Sequence, residues 1–176
     1  MVTAPTIAAE RCDGWGERVR EAVASVLDPE LPLITIADLG ILRDVSVEGT
    51  RARVTITPTY SGCPAMEAIA GEVRAAATLA GATDVEVVTV LSPAWTTDWI
   101  TETGKRALAE HGIAPPGPVV GDDISNGRAV ALTLSVRCPQ CGSLDTRELS
   151  RFSGTACKAL HACNSCREPF ERMKAH

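Results

Sequence analysis

The sequence predicts an α+β fold, a small sheet covered by helices, followed by a β-rich ribbon held together by a metal ion. Three observations carry this. Helical and strand periodicities alternate through roughly the first 112 residues. A stretch dense in Pro, Gly and Asx, Ala114-Pro-Pro-Gly-Pro-Val-Val-Gly-Asp-Asp-Ile-Ser-Asn-Gly127, then interrupts them and reads as a linker. Beyond it, four cysteines stand as two close pairs, Cys138-Pro-Gln-Cys141 and Cys163-Asn-Ser-Cys166.

Residues 1–15 read as a flexible N-terminus and 16–113 as the α+β domain. From Gly16 to Leu27, Val19, Val23, Val26 and Leu27 recur at spacings of three and four, the apolar stripe of a helix that Pro29 ends. Val45–Val47 and Ala52–Thr57 alternate as strands around Glu48-Gly49-Thr50, a hairpin signal. A second helix is expected from Pro64 to about Ala80, with Met66, Ile69, Val73, Ala76 and Ala77 inward and Gly81 as its stop. Valine-rich Asp84–Val90 predicts a third strand, and Trp99–His111 a third helix closed by Gly112.

The ribbon is expected over 128–176, with Arg128–Val136 as a strand leading into the first knuckle. Two thiols two residues apart let one tight turn present both sulfurs to a single ion, and two such turns complete a tetrahedral shell. The expected ligands are Cys138, Cys141, Cys163 and Cys166, holding a structural Zn; Fe fits the same tetrathiolate, and spacing does not separate the two. The 21 residues between Cys141 and Cys163 slightly exceed the usual spacing, which a β-hairpin absorbs.

Seven cysteines, an odd number with four in metal spacing, point to a reducing compartment, and no apolar run is long enough to cross a bilayer. Met1–Glu10 lacks the pattern of a secretory signal, so the expected location is cytoplasmic. Charge divides with composition: residues 1–127 carry 9 Lys/Arg against 18 Asp/Glu, and residues 128–176 carry 8 against 4. Four thiolates around one divalent cation reduce the ribbon's surplus of four to about two, and its large aromatics are only Phe152 and Phe170, too few for base stacking. The expected partners therefore exclude nucleic acid and membrane, and an acidic partner, or the chain's own acidic domain, explains the asymmetry as well.

Cys63 precedes Pro64 at the predicted start of the second helix, which makes it the expected N-cap. Unpaired N–H groups there would stabilise a thiolate, so an accessible thiol with a depressed pKa is expected, with a buried inert cysteine as the bland alternative. Gly62 leaves room for a ligand to approach. Asp28-Pro29-Glu30 places two carboxylates on a rigid turn, with Asp38 on a following loop. Such carboxylates usually decorate turns, but can hold a cation. If they lie close to Cys63 they raise its pKa, which opposes the helix and favours joint metal handling over nucleophilic catalysis.

Asp28-Pro29-Glu30-Leu-Pro, Asp38-Leu39-Gly40-Ile41, Thr57-Pro-Thr-Tyr-Ser-Gly-Cys63-Pro64-Ala-Met66 and Pro93-Ala-Trp95-Thr-Thr-Asp98-Trp99 together resemble the SufT-type family of iron-sulfur assembly factors over residues 16–112. With the knuckles and Phe152-Ser-Gly-Thr-Ala-Cys157-Lys158 added, the whole chain is similar to the PaaD family of bacterial phenylacetate degradation. Ser92 departs from the proline that relatives often carry before Pro93. The resemblance implies an iron-sulfur-assembly-like domain and a maturation factor, not an enzyme, serving the iron-sulfur cluster or di-iron centre of a multicomponent phenylacetyl-CoA epoxidase through contact with its reductase or oxygenase component. It points to Cys63 as the functional thiol and possible cluster ligand, and to Asp28 and Glu30 as signature carboxylates.

Ligand counting bounds that role. A cluster normally takes four protein ligands, and residues 1–127 offer only Cys12 and Cys63, so a transient iron-sulfur cluster would need a second chain in a homodimer, a target protein or a small thiol. Cys157 reads as a buried or reserve thiol, with membership of a transferred cluster as the sharper alternative. His161 reads as a surface residue beside the metal loop, with metal ligation as the sharper alternative, and Trp95 and Trp99 as core or partner surface. Two other functions remain: a thiol enzyme with Cys63 as nucleophile, for which residues 1–110 supply no histidine base, and a nucleic-acid-binding zinc ribbon.

Overall fold

The computed structural model describes residues 10–117 and 136–174, with side chains from Gly14 onward. Helix α1 (Glu10–Ala24) leads into the hairpin β1 (Leu42–Glu48) and β2 (Arg51–Ile56); α2 (Met66–Leu79) then crosses to β3 (Asp84–Thr89). A 3-10 turn (Thr97–Trp99) precedes α3 (Glu102–Glu110). The sheet order is β1-β2-β3, antiparallel across the first pair and parallel across the second. Val19 and Val23 of α1 and Ile69, Val73 and Ala77 of α2 are fully buried against Ala52, Val54 and Ile56, the inward positions of β2. The α+β architecture is as the periodicities predict.

Several boundaries differ from expectation. Helix α1 begins at Glu10, ahead of Gly16, and ends at Ala24, because Leu27 turns outward to pair with Thr35 in a short bridge and is 49% exposed. Trp99 does not open α3. Thr101 caps it, its hydroxyl accepting from the Gly104 N–H at 3.0 Å, where a hydroxyl can take an orphan donor of the first turn. Asp38 ties the loop before β1 to this cap: its carboxylate accepts from the Thr35 and Thr101 hydroxyls, and its carbonyl accepts from the Thr101 N–H at 2.9 Å. Gly40 follows with φ 72°, and a Cβ there would lie 2.6 Å from Trp99 Cβ. The Asp38-Leu39-Gly40-Ile41 motif therefore packs two loops together.

The second unit is not tethered loosely. Ile113–Ala114 form β4, which pairs in parallel with β7 (Pro169–Met173), and β7 continues antiparallel through β6 (Lys158–Cys163) to β5 (Thr146–Ser150). Ala114, expected in the linker, is thus a sheet residue 1% exposed. The ribbon's own core is small, comprising Ala114, Val136, Cys138, Cys163 and Phe170. Two ribbon residues, Cys157 and Met173, pack instead into the apolar cluster of the first unit with Leu31, Ile34 and Trp95. Of the strand expected over 128–136 only Val136 is described, and most of the expected linker lies outside the described residues. Among the described residues no helix is long and apolar enough to cross a membrane.

Candidate functional site

Asp28 is buried at 5% exposure on the turn after α1. Proline at 29 fixes the chain so that the next two N–H groups fold back, Glu30 at 2.9 Å and Leu31 at 2.8 Å from Asp28 Oδ1. Those bonds favour the carboxylate, yet burial outweighs them and raises its pKa above the usual carboxylate range. A carboxylate held in an environment that disfavours its charge is set up to receive a cation.

Cys63 lies on the turn between β2 and α2, its N–H donating to the Tyr60 carbonyl at 3.1 Å. It is not the N-cap: α2 starts at Met66, and Ala65 occupies the cap position in a helical conformation. The Ala65 N–H still favours the Cys63 thiolate, but burial, Glu30, Asp28 and the thiol of Cys157 oppose it, and the pKa is raised. The expectation of a depressed pKa is thereby corrected; the residue itself is half-buried, neither freely accessible nor sealed in the core. Both carboxylates contribute to that rise, the direction under which joint cation handling is favoured over nucleophilic attack. Gly62 is not demanded by a close approach, as a Cβ there would meet only the Tyr60 ring at 3.6 Å.

Tyr60 faces the same groups; burial and then Cys63, Glu30 and Cys157 raise its pKa. Beside this loop a cleft of about 380 Å³ opens between Thr57–Ser61 and Leu91, Ala94 and Trp95. Trp95 itself is 5% exposed and donates from Nε1 to the Leu39 carbonyl at 2.9 Å, so it is core, while the half-buried Trp99 ring carries the Arg43 guanidinium at 3.5 Å.

The four knuckle cysteines converge, their sulfurs all within 4.8 Å of one another. Cys138–Cys166 and Cys141–Cys163 are 3.8 and 3.5 Å apart, against about 3.8 Å for thiolates in a tetrahedron around zinc. The Cys166 N–H points at Cys163 Sγ at 3.5 Å and lowers that thiol to about 6, readying one ligand. The donor set therefore fits a tetrahedral thiophilic ion. His161 is no surface residue. It is buried at 4%, stacked on Phe170 with centroids 5.7 Å apart, and lies outside the four-sulfur cluster; desolvation lowers its pKa.

Residues 123–174 match the family described as PaaD zinc beta ribbon domain, and residues 16–89 match that described as iron-sulfur cluster assembly protein. A protein of Escherichia coli K12 named as a putative 1,2-phenylacetyl-CoA epoxidase subunit is 46% identical over 152 residues, covering 86% of this chain and 88% of that one. The chain belongs to the PaaD family. The Fe-S protein maturation auxiliary factor YitW of Bacillus subtilis 168 is 38% identical over 94 residues, 52% of this chain and 91% of its own. A DUF59 domain structure from Bacillus anthracis superposes with TM-score 0.51 at 27% identity, covering 57% of this chain and 96% of that chain. PaaD membership joins an iron-sulfur-assembly domain to a metal-binding ribbon, and the four converging thiols are that ribbon's metal cluster.

Sequence reasoning leaves Cys157 as a reserve thiol, apart from Cys63. In the structure it is 4% exposed, and Glu30 and Asp28 act on it as they do on Cys63. The available signal is arithmetic: once four thiols are assigned to the ribbon, Cys157 is the one ribbon thiol left over.

Proposed function

We propose that this protein is a non-catalytic maturation factor that takes up iron, alone or within a cluster, at Cys63 and delivers it to an iron-containing component of a phenylacetyl-CoA epoxidase. The observation that carries the reading is a half-buried thiol in an assembly-type domain whose pKa is raised by burial and by the charges of Glu30 and Asp28, the latter buried. The maturation-factor name of the Bacillus subtilis relative and the epoxidase name of the Escherichia coli relative supply the two ends of the proposed transfer.

The chemistry of the residues suits a carrier. A thiol whose pKa is raised by burial and neighbouring carboxylates stays protonated at neutral pH and is a poor nucleophile. Ferrous iron inverts that balance, since its charge repays both the buried carboxylate and the thiolate, and binding releases the thiol proton. With few protein ligands the hold is weak enough for transfer. The ribbon is assigned zinc, in a closed tetrathiolate that stabilises the fold and takes no part in the transfer.

The test is anaerobic co-expression with the epoxidase components, wild type against Cys63→Ser. The variant should leave the target with little iron while the ribbon keeps its metal. A target that matures equally with the variant overturns the reading.

A further inference from the structure

We infer that the open edge of β3 docks an extended segment of a partner protein as a further strand of the sheet. That segment alternates apolar and basic residues, and one large apolar side chain of it enters the cleft beside Trp95. The inference stands apart from the carrier reading above and holds or fails without it.

Among the described residues β3 has β2 as its single strand neighbour. Sheets normally defend such an edge with lysine, proline, a bulge or a covering segment, because its unpaired N–H and carbonyl groups template another strand. At the opposite edge β1 is defended twice: its register shifts between Leu42 and Asp44, and Arg20 Nε donates to the Val45 carbonyl at 3.4 Å. β3 has neither device. Asp84-Val85-Glu86-Val87-Val88-Thr89 contains no lysine, proline or glycine, and its register with β2 is unbroken from Asp84 opposite Arg51 to Thr89 opposite Ile56. Beyond it the Val90 N–H still donates to the Ile56 carbonyl at 2.9 Å. By the two-residue alternation of a strand, the N–H groups of Val87 and Thr89 therefore face the open side.

The chemistry of the edge selects its occupant. On the core side Val85 and Val87 are only partly buried, whereas Ala52, Val54 and Ile56 of the neighbouring strand are fully buried, so apolar residues at alternate positions of an added strand complete that layer. On the other face Asp84 and Glu86 are bridged to Arg51 at 2.6 Å and Arg53 at 3.8 Å, yet their side chains stay 55% and 54% exposed. A basic residue across the new strand pair suits both. A second copy offering its own β3 would instead bring two more carboxylates to that face. One six-residue edge, about 20 Å long, also gives too little surface for the roughly 1,200 Å² of a standing dimer.

Where β3 ends, the edge runs into the cleft of about 380 Å³. One wall follows β2, at Thr57–Ser61, and the other follows β3, at Leu91, Ala94 and Trp95, so the cleft lies at the carboxyl ends of two parallel strands. Leu91 is 63% exposed there. The volume is near the lower end of ligand sites and has room for one large side chain. Main-chain bonds then supply affinity and the cleft specificity, the division of labour of strand addition. The first wall continues to Cys63, whose N–H donates to the Tyr60 carbonyl at 3.1 Å, so the docked segment ends on the loop of the thiol.

The experiment uses the full-length, zinc-loaded, reduced protein. The probe is a blocked, labelled peptide that alternates valine and lysine and ends in tryptophan. Its controls are the same composition scrambled and the same sequence N-methylated at every second residue. Anisotropy reads binding, and amide hydrogen exchange reads Val87 and Thr89. Both amides should exchange freely in dilute protein and become protected with the alternating peptide alone. Thr89→Pro removes an N–H on the open side, where an edge strand tolerates proline, and should weaken binding by about tenfold, the upper worth of one backbone hydrogen bond. Leu91→Ala should weaken the tryptophan-ended peptide more than one ending in alanine. If Thr89→Pro does not fold, the N-methylated peptide, which leaves the protein untouched, decides. No binding, equal binding of either control, or a folded Thr89→Pro that binds as wild type overturns the inference. Protection already present in dilute protein would give the edge to the chain's own residues, and protection that grows with protein concentration would give it to a second copy; either overturns the partner assignment.

Discussion

Lys158 Nζ lies 2.6 Å from Glu171 Oε2 across the β6–β7 pair, with the lysine side chain 8% and the glutamate side chain 29% exposed. The other carboxylate oxygen of Glu171 accepts from the Ser153 hydroxyl. Burial alone would raise the Glu171 pKa, but Lys158 and Ser153 overcome it and hold the carboxyl low. The pair's contribution to stability is therefore present above the usual carboxylate range and is lost as pH falls through the depressed folded value.

Glu171→Gln should redirect Lys158 toward Asp28 and Cys157, whose charges it already feels. Iron uptake at Cys63 should weaken by about fivefold, the effect of about 1 kcal/mol of charge compensation, with zinc content unchanged. Equal or tighter capture would show that Lys158 does not set the charge of the site.

Asp28→Asn keeps an oxygen to accept from Glu30 and Leu31 while removing a buried charge. Because the folded pKa of Asp28 is raised, the folded state loses stability as pH climbs from the unfolded value near 3.8 through the folded one, and carries the whole penalty above it. The variant without cation should therefore melt higher than wild type at pH 7, and the gap should close as pH is lowered toward 4. Cation capture should fall at the same time, the trade-off expected where function holds a charge in an unfavourable place. Melting curves at several pH values decide it; a variant less stable than wild type at pH 7 would count against the argument.

Alkylation of Cys63 should be slow at neutral pH and accelerate only toward alkaline pH, as burial and its carboxylate neighbours require. Glu30→Gln removes one of those neighbours, so the midpoint of the rate profile should move down and the rate at pH 8 should rise. Peptide mapping after timed alkylation separates Cys63 from the other thiols. A midpoint that does not move would remove Glu30 from the site.

Cys138→Ala, or chelation of the ribbon metal, should unfold the C-terminal unit, since structural zinc supplies about 10 kcal/mol or more to so small a fold. The first unit should suffer too, because Met173, 1% exposed, leaves its core when β7 is lost. Deleting a buried methionine contact costs about 2–5 kcal/mol, so the melting temperature of the remaining domain should fall as well. Circular dichroism and zinc content measured together test this, and an unchanged first transition would show that the ribbon contributes nothing to it.

The parts legible in the sequence are those governed by local chemistry. The knuckles follow from thiol spacing alone, and the hairpin around Gly49, with φ 58°, from alternation and one glycine. Ile69, Val73 and Ala77 follow from helical spacing. What escapes depends on contacts between distant segments. Cys63 looks like a helix cap because Pro64 suits a first turn, but the chain spends Pro64 and Ala65 on a turn before α2, and tertiary burial then reverses the direction of the pKa. His161 looks exposed because it adjoins a metal loop, while the β6–β7 register sets it opposite Phe170 in the interior. The burial of Cys157 in the first unit's apolar cluster could not be read either, since the residues that surround it there, Leu31 and Ile34 among that cluster, lie more than a hundred residues away in the chain.

The pairing of Ile113–Ala114 with Glu171–Arg172 is made by strand hydrogen bonds, not by the covalent path between the two segments. Together with the burial of Cys157 and Met173 in the first unit, it encodes an attachment that needs no continuous chain. Two polypeptides divided between Gly117 and Val136 would still carry complementary halves of one sheet and one apolar cluster.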